Sequence, residues 1–261
     1  AACVRWVDLR PEIDPLTAAV ATDARRGGFS PADQAAFETA LALREHWGGT
    51  VELVSVGGPD IEPALRSLSA AGADRVVRVD ADDVAAGLAA SVTGCDLVLC
   101  GDHSLDGGSG ATPAFVAARL GGAQALGLVS LEAIGDAGTV EGVRRLGGGR
   151  SERVRVTAPA VVSVEGSVAS LRRASLRDAL DATSRPVDVI RVVGAPRREP
   201  VVVEQGPWRP RARVLPPPSG DPRTRIVSLT GALVDRTPPR TLQLDPAEAA
   251  DAILDQLREW G

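Results

Sequence analysis

The residues with the clearest potential for chemistry form the glycine loop, Gly101–Thr112, between the apolar run Asp96–Cys100 and a predicted helix, Ala114–Leu120. Glycines let a backbone approach a ligand closely and adopt positive φ, and successive backbone N–H groups can then form a concave anion site. The start of the next helix adds unpaired N–H groups and the positive end of its dipole. Ser109 and Thr112 add hydroxyl donors. The loop therefore predicts a phosphate site for a nucleotide, with an ordinary glycine-rich surface loop as the alternative.

The polar side chains of this loop favour binding over catalysis. His103 has no second histidine, cysteine or glutamate at metal-ligand spacing, so a zinc site is not expected. Asp102 and Asp106 would repel a phosphate that they faced, so we expect them to cap turns, bond the loop backbone or meet a ribose hydroxyl. The chain also lacks the G-x-x-x-x-G-K-[ST] pattern of NTP-hydrolysing P-loops.

The elements that must position this loop alternate between apolar runs and amphipathic segments. This alternation predicts an α/β fold with a doubly wound, mostly parallel sheet. Ligands of such sheets bind at the carboxyl ends of the strands, which points to the residues after Val7, Val56 and Cys100. The predicted strands are Ala2–Val7, Val51–Val56, Arg75–Val79 and Asp96–Cys100, and the helices are Pro31–Trp47, Pro63–Ala71, Val84–Val92 and Ala114–Leu120.

The pattern changes after Leu126, where glycine-rich turns separate four strand-like runs. They predict an antiparallel extension of the sheet, followed by a short helix, Ser175–Ala182. The α/β nucleotide-binding domain is expected to span residues 1–185. Residues 186–261 read as a Pro- and Arg-rich arm that ends in a helix, Pro246–Trp260, packed on its own domain or on another subunit. The four runs are Val129–Ile134, Thr139–Leu146, Glu152–Val156 and Ala160–Val164.

Composition narrows the class of protein. The 261 residues carry a net charge of −5, which disfavours a nucleic-acid binder. No run of 18 apolar residues predicts a membrane span. The three cysteines, at positions 3, 95 and 100, lack metal-type spacing and suggest reduced thiols. Together with the missing export signal, they predict a cytoplasmic protein.

Several blocks, in order, resemble the β subunits of electron-transfer flavoproteins. The most specific is Val54–Gly57 with Ala71–Arg75, which resembles the family's V-S-x-G and G-A-D-R motifs. The glycine loop is similar in length and place to a loop of that family. The other matching blocks are Cys3–Asp8, Ser30–Asp33, Pro159–Val162 and Arg172–Leu176.

This resemblance implies a non-enzymatic electron carrier. It implies a heterodimer with an electron-transfer flavoprotein α subunit, with which the redox FAD is held, and docking to flavoprotein dehydrogenases. It also implies AMP, or a second FAD, in the chain's own domain. The residues implied to bind that nucleotide are Cys3, Ser30, Pro31, Ala32, Asp33, Val56, Gly101, Asp102, His103, Ser104, Leu105, Asp106, Gly107, Gly108, Ser109, Gly110, Ala111 and Thr112. The residues implied to recognise dehydrogenases are Ala174, Ser175, Leu176, Arg177, Asp178, Ala179 and Leu180.

The chain departs from that family at specific positions. Gly110 and Ala111 stand where the family has an amide side chain, Ala32 replaces an aromatic residue, and Arg173 replaces a tyrosine. These departures leave the nucleotide open and indicate a divergent lineage, with a mycofactocin-associated version as one candidate. Taken alone, Leu176 could also be a core residue.

Two other classes share the predicted architecture. One is the universal-stress type of nucleotide-binding regulator. Gly107 and Gly110 have the G-x-x-G spacing that begins its motif, but Gly122 and Ala123 do not match the G-[ST] pair that ends it. An ATP-pyrophosphatase enzyme requires an S-G-G-x-D-S loop after the first strand, where this chain has Asp8–Pro11.

Overall fold

The computed structural model describes residues 1–135, 137–193, 218–230 and 241–260. The chain divides into two compact units, Ala1–Trp208 and Arg209–Gly261. In the second unit the structure describes α6 (Pro222–Thr230) and α7 (Pro246–Trp260), the latter with the bounds expected from the sequence. Of the predicted arm, residues 194–217, 231–240 and 261 lie outside the described residues.

The first unit is built on a nine-stranded sheet with the order β11-β10-β9-β12-β8-β1-β6-β7-β13. Two small two-stranded sheets, β2 with β5 and β3 with β4, lie beside it. The strands are β1 (Ala2–Cys3), β2 (Trp6–Asp8), β3 (Glu12–Ile13), β4 (Val20–Ala21), β5 (Gly27–Phe29), β6 (Glu52–Val56), β7 (Arg75–Asp80), β8 (Leu97–Gly101), β9 (Ala123–Ala133), β10 (Thr139–Arg145), β11 (Ser151–Thr157), β12 (Ala160–Val164) and β13 (Asp188–Arg191). The helices are α1 (Pro31–Trp47), α2 (Glu62–Ser69), α3 (Val84–Ser91), α4 (Thr112–Leu120) and α5 (Leu176–Ala182).

The predicted fold class is confirmed. Every pairing from β13 across to β9 is parallel, and β9, β10 and β11 form the antiparallel extension. Helices α1 and α2 pack on one face, around Phe37, Leu53 and Leu65. Helices α3 and α4 pack on the other face, around Val98 and Val116. The central strands are apolar because helices cover both of their faces.

Three sequence-based expectations about the strands are wrong in detail. The first predicted strand is two short ones, because the chain leaves the main sheet after Cys3 and β2 pairs with β5 instead. The run Ala160–Val164 does not extend the antiparallel part; it inserts between β8 and β9 and pairs parallel with both. All five of its residues are buried, as is typical of a central parallel strand.

The third correction concerns the end of the α/β domain. Strand β13 pairs in parallel with β7, so the sheet continues past residue 185 to Arg191. The ion pair between Arg75 and Asp188, at 2.7 Å, fastens this edge strand. The strand has only four residues, and its only apolar side chains are Val189 and Ile190. Such a short run at the edge of a sheet carries a weak sequence signal.

The topology also creates a crevice. Strands β6 and β7 follow β1 in sequence and lie on one side of it in the sheet, whereas the next strand of this sheet, β8, lies on the other side of β1. The segments that leave the carboxyl ends of β1 and β8 therefore run to opposite faces of the sheet. Open α/β sheets bind their ligands at such a switch point.

Candidate functional site

A cleft of about 450 Å³ opens at this switch point, a volume in the usual range for small-molecule sites. The ends of β1, β6 and β8 form its floor, and α1, α3 and α4 begin around it. The structure brings twelve of the eighteen predicted nucleotide residues to its wall, and their binding role stays a prediction. They are Cys3, Asp33, Val56, Gly101, Asp102, His103, Ser104, Asp106, Gly107, Ser109, Gly110 and Thr112.

The other six predicted residues do not line the cleft; they are Ser30, Pro31, Ala32, Leu105, Gly108 and Ala111. Ser30 is the N-cap of α1, where its hydroxyl accepts the Asp33 N–H at 3.1 Å. Ala32 is buried against Gly101: a Cβ added to that glycine would lie 3.0 Å from the Cβ of Ala32. Small residues at both positions therefore let α1 approach the end of β8, which leaves little space for the family's aromatic side chain.

The glycine loop has the backbone shape that an anion site requires. Gly108 and Gly110 adopt φ of 63° and 61°, which glycine adopts readily. A Cβ added to Gly110 would lie 2.7 Å from the Asp102 carbonyl oxygen, so this position excludes the family's amide side chain unless the loop moves. Helix α4 begins at Thr112, and the N-cap residue Ala111 makes no side-chain capping bond. The N–H groups at the start of α4, where Pro113 has none, are therefore positioned to donate to a ligand.

An ion pair holds the loop against the start of the chain. The Arg5 guanidinium donates to the same oxygen of Asp106 from Nη2 at 2.8 Å and from Nε at 3.1 Å. The other Asp106 oxygen accepts the Gly107 N–H at 2.8 Å. Burial opposes ionisation of this carboxyl, but hydrogen bonds from Ser104 and Arg5 outweigh it and lower the pKa of Asp106. Asp106 thus bonds the loop, one of the roles expected from the sequence.

Asp102 serves the loop in a similar way. Its backbone N–H donates to the Val164 carbonyl at 2.9 Å, which fastens the loop to the end of β12. Its carboxylate lies 2.9 Å from the Nδ1 of His103. Both aspartates of the glycine loop therefore have partners within the protein.

Asp33 is the most perturbed carboxyl group of the cleft. One of its oxygens accepts from both the backbone N–H and the hydroxyl of Ser30, at 3.1 and 2.7 Å, and the other accepts the Arg5 N–H at 3.2 Å. Burial raises the pKa of Asp33 to about 6, although these hydrogen bonds and the charge of Arg5 act in the opposite direction. A carboxyl with such a pKa can change its charge near neutral pH.

Sequence reasoning missed a second group of lining residues. Asp82 and Asp83 follow β7, whose carboxyl end meets the same edge as those of β6 and β8. Asp83 caps α3 through the Ala86 N–H at 2.9 Å and also pairs with Arg119 at 2.7 Å. Phe115 lies on α4 with 60% of its surface exposed. The strand-end rule, extended to β7, would have located Asp82 and Asp83.

The charge balance of the wall restricts what it can bind. Among the described residues, five carboxyl groups line the cleft: Asp33, Asp82, Asp83, Asp102 and Asp106. The two lining arginines, Arg5 and Arg119, are already paired with Asp106 and Asp83. An anionic ligand would therefore depend on backbone N–H groups, hydroxyls and the α4 dipole. Within the described part of the chain, no group of three or more His, Cys, Asp or Glu residues could hold a metal ion.

The predicted recognition segment, Ala174–Leu180, lies on the surface. Ser175 caps α5: its hydroxyl accepts the Asp178 N–H at 3.1 Å. Leu176 and Leu180 lie one turn apart and are 78% and 61% exposed. The alternative that Leu176 is a core residue is therefore wrong. Helix α5 presents two leucines to solvent, as a docking surface would.

Two arginines fasten the chain on either side of α5. Before the helix, Arg172 binds Glu38 through its Nη2 and Nε, at 2.8 and 3.0 Å, and also contacts Glu45. After it, the Arg185 Nη1 donates to the carbonyls of Ser69 and Ala73, at 2.9 and 2.7 Å. The exposed leucines are thus held on a segment tied to α1 and α2.

Comparisons with known proteins define the family. The model of the electron transfer flavoprotein domain matches residues 17–193. The chain is 29% identical to the "Electron transfer flavoprotein subunit beta" of Bacillus subtilis over 70% of this chain and 75% of that protein. It is 27% identical to "Protein FixA" of Azorhizobium caulinodans over 71% and 72% of the two chains. It is 34% identical to the Methylophilus methylotrophus β subunit over 60% and 64%.

The chain therefore belongs to the electron transfer flavoprotein family, in its β-subunit branch. This confirms the resemblance carried by the sequence blocks, and the universal-stress and ATP-pyrophosphatase alternatives give way to it. Among the residues that the structure describes, no helix combines the length and the apolar character needed to cross a membrane.

Proposed function

We propose that this chain is the β subunit of a heterodimeric electron transfer flavoprotein. It pairs with an α-type subunit, with which the redox FAD is held, and accepts electrons through that flavin from flavoprotein dehydrogenases. The observation that carries the proposal is the family match over residues 17–193, together with an exposed, fastened helix α5 where the family's recognition segment is expected.

The cleft is proposed to bind AMP, with FAD as the second candidate. The residues present fit an adenine nucleotide. The uncapped start of α4 and the loop backbone would bind phosphate, Ser109 and Thr112 would add hydroxyl donors, and Phe115 offers a face for the base. Bound AMP would supply no redox chemistry; its binding energy would stabilise the folded subunit.

The chain's own residues then have binding and positioning roles. The Arg5–Asp106 pair would hold the glycine loop over the nucleotide, and Asp33 would keep α1 capped beside it. Leu176 and Leu180 would anchor a dehydrogenase in an apolar contact. No catalytic acid or base is assigned to this subunit, and when FAD is bound in the heterodimer, that flavin supplies the electron transfer.

Co-expression with an α-type subunit tests the assembly. We expect a tag on either chain to retain both, with a flavin absorbance spectrum that dehydrogenase and substrate bleach. Leu176→Ala is expected to slow the bleaching while leaving the heterodimer and its flavin content intact. A chain that stays monomeric and colourless beside its α-type partner would contradict the proposal.

Mass spectrometry of the small molecules released from the purified heterodimer tests the cleft. AMP in addition to one FAD per heterodimer supports the first candidate, and two FAD per heterodimer supports the second. Release of ATP, with ATP turnover by the protein, would contradict the electron-transfer assignment.

A further inference from the structure

Two cysteines lie side by side at the floor of the cleft. Cys3 on β1 and Cys100 on β8 are direct partners in the parallel pairing of these strands. Neighbouring strands lie about 4.8 Å apart, and disulfides join Cα atoms that are about 4.4–6.8 Å apart. This register therefore places the two Cα atoms at a separation that a disulfide can span.

The two side chains also share a face of the sheet. Both pack into the apolar cluster beneath α3 and α4, and both thiols are reduced. Their exposed fractions are only 4% and 5%, yet both residues line the cleft. Both cysteines can therefore be approached through the cleft by an oxidant small enough to enter it.

The surroundings of Cys100 affect how readily its thiol reacts. A hydrogen bond with Cys3 and burial raise the pKa of the Cys100 thiol well above its ordinary value, so that this group is protonated at neutral pH. The thiolate is the reactive form of cysteine, and its scarcity at this position slows adventitious oxidation.

We propose that Cys3 and Cys100 form a redox modification site, which hydrogen peroxide converts to a disulfide. In the first step one sulfur attacks a peroxide oxygen, the O–O bond breaks, and a sulfenic acid and one water form. In the second step the other sulfur attacks the sulfenic sulfur, and the second water leaves. Two thiols are oxidised, one peroxide is reduced, and the two thiol protons end in the waters.

The position of the pair links this chemistry to the cleft. Because both cysteines lie on its wall, a ligand in the cleft would cover them and block the oxidant. This protection rests on the proposed nucleotide function, whereas disulfide formation does not. An experiment can therefore refute the nucleotide site without refuting the disulfide, and the reverse.

The test uses the purified whole chain, by itself and co-expressed with an α-type subunit, with Cys95→Ser in this chain. Cys95, the remaining cysteine of the sequence, lies before β8, at the opposite end of that strand from Cys100. After removal of bound nucleotide, we expect peroxide treatment to lower the mass of this chain by two hydrogens. Peptide mapping without reductant should give a linked Cys3–Cys100 peptide, which a dithiol reductant releases. The same linked peptide is expected from the protein that retains Cys95.

Two variants and one ligand complete the experiment. Cys3→Ala and Cys100→Ala should each abolish the linked peptide and leave a sulfenic or more highly oxidised sulfur. AMP at about ten times its Kd should slow formation of the disulfide about tenfold, because only the empty cleft reacts. The proposal would be overturned if peroxide oxidised either cysteine of the parent protein to a sulfenic or higher acid and no linked peptide formed, so that the parent behaved like the two variants. A linked peptide that forms equally fast with AMP would support the dithiol and refute the nucleotide site.

Discussion

The buried carboxyl of Asp33 allows a quantitative test of the geometry around the cleft. Its pKa is about 6 in the folded protein, against an ordinary value of 3.8, chiefly because burial disfavours its charge. The folded state therefore binds this proton more tightly than the unfolded chain. The stabilisation is fully present below the unfolded value and is lost as the pH rises through about 6.

The magnitude follows from the two pKa values. A change from 3.8 to about 6 corresponds to about 3 kcal/mol over the whole titration. Only part of this stabilisation appears between pH 5 and pH 7, where the urea assay is run. On going from pH 7 to pH 5, this group should raise the free energy of unfolding by about 1.4 kcal/mol. Asp33→Asn removes the titrating group, so the substituted protein should lack this gain.

Urea denaturation of both proteins at pH 5 and pH 7, followed by tryptophan fluorescence, measures the difference. Trp6 is a local reporter, since its ring packs on Phe29 with ring centroids 5.1 Å apart. Asp178→Asn is the matched control, because Ser175 and Asp178 form a similar serine–aspartate cap at the exposed start of α5. If Asp33→Asn keeps the full pH dependence of the parent protein, the buried environment described for Asp33 is wrong.

Three further predictions concern the glycine loop and α5. Gly110→Ala should destabilise the protein by about 1–3 kcal/mol and weaken nucleotide binding, because the new Cβ would meet the Asp102 carbonyl. Gly108→Ala is the control: its φ is similar but its Cβ would meet open space, so it should lower the free energy of unfolding by less in the same urea assay. Leu176→Ala should change the Tm by less than about 2 °C, since 78% of this residue is exposed, yet lower the rate of reduction by a dehydrogenase; an equal loss of Tm would assign Leu176 to packing. AMP should bind at least about tenfold more tightly than ATP in calorimetry without Mg²⁺, since the carboxyl groups of the wall repel added phosphate charge; equal affinities would refute this electrostatic argument.

The alternation of apolar runs and amphipathic segments determined much of this fold. The bounds of α1 and α7 match the expectation residue for residue, because capping and periodicity are local properties. The insertion of β12 between β8 and β9 was not predictable in this way. A buried apolar run is compatible with several neighbours, and its place depends on which strands leave an edge open.

For the site, the sequence by itself determined the glycine loop and its place after a central strand. Both signals, the glycine spacing and the helix start, lie within one continuous segment of the sequence. Only the tertiary structure decided what faces that loop. Arg5 and Asp106 are 101 residues apart, and the pairing of Cys3 with Cys100 depends on the order of strands in the sheet. The pKa of Asp33 likewise depends on burial by distant segments. Such contacts join parts of the chain that no local pattern relates, since strand order and burial are set by the packing of the whole domain.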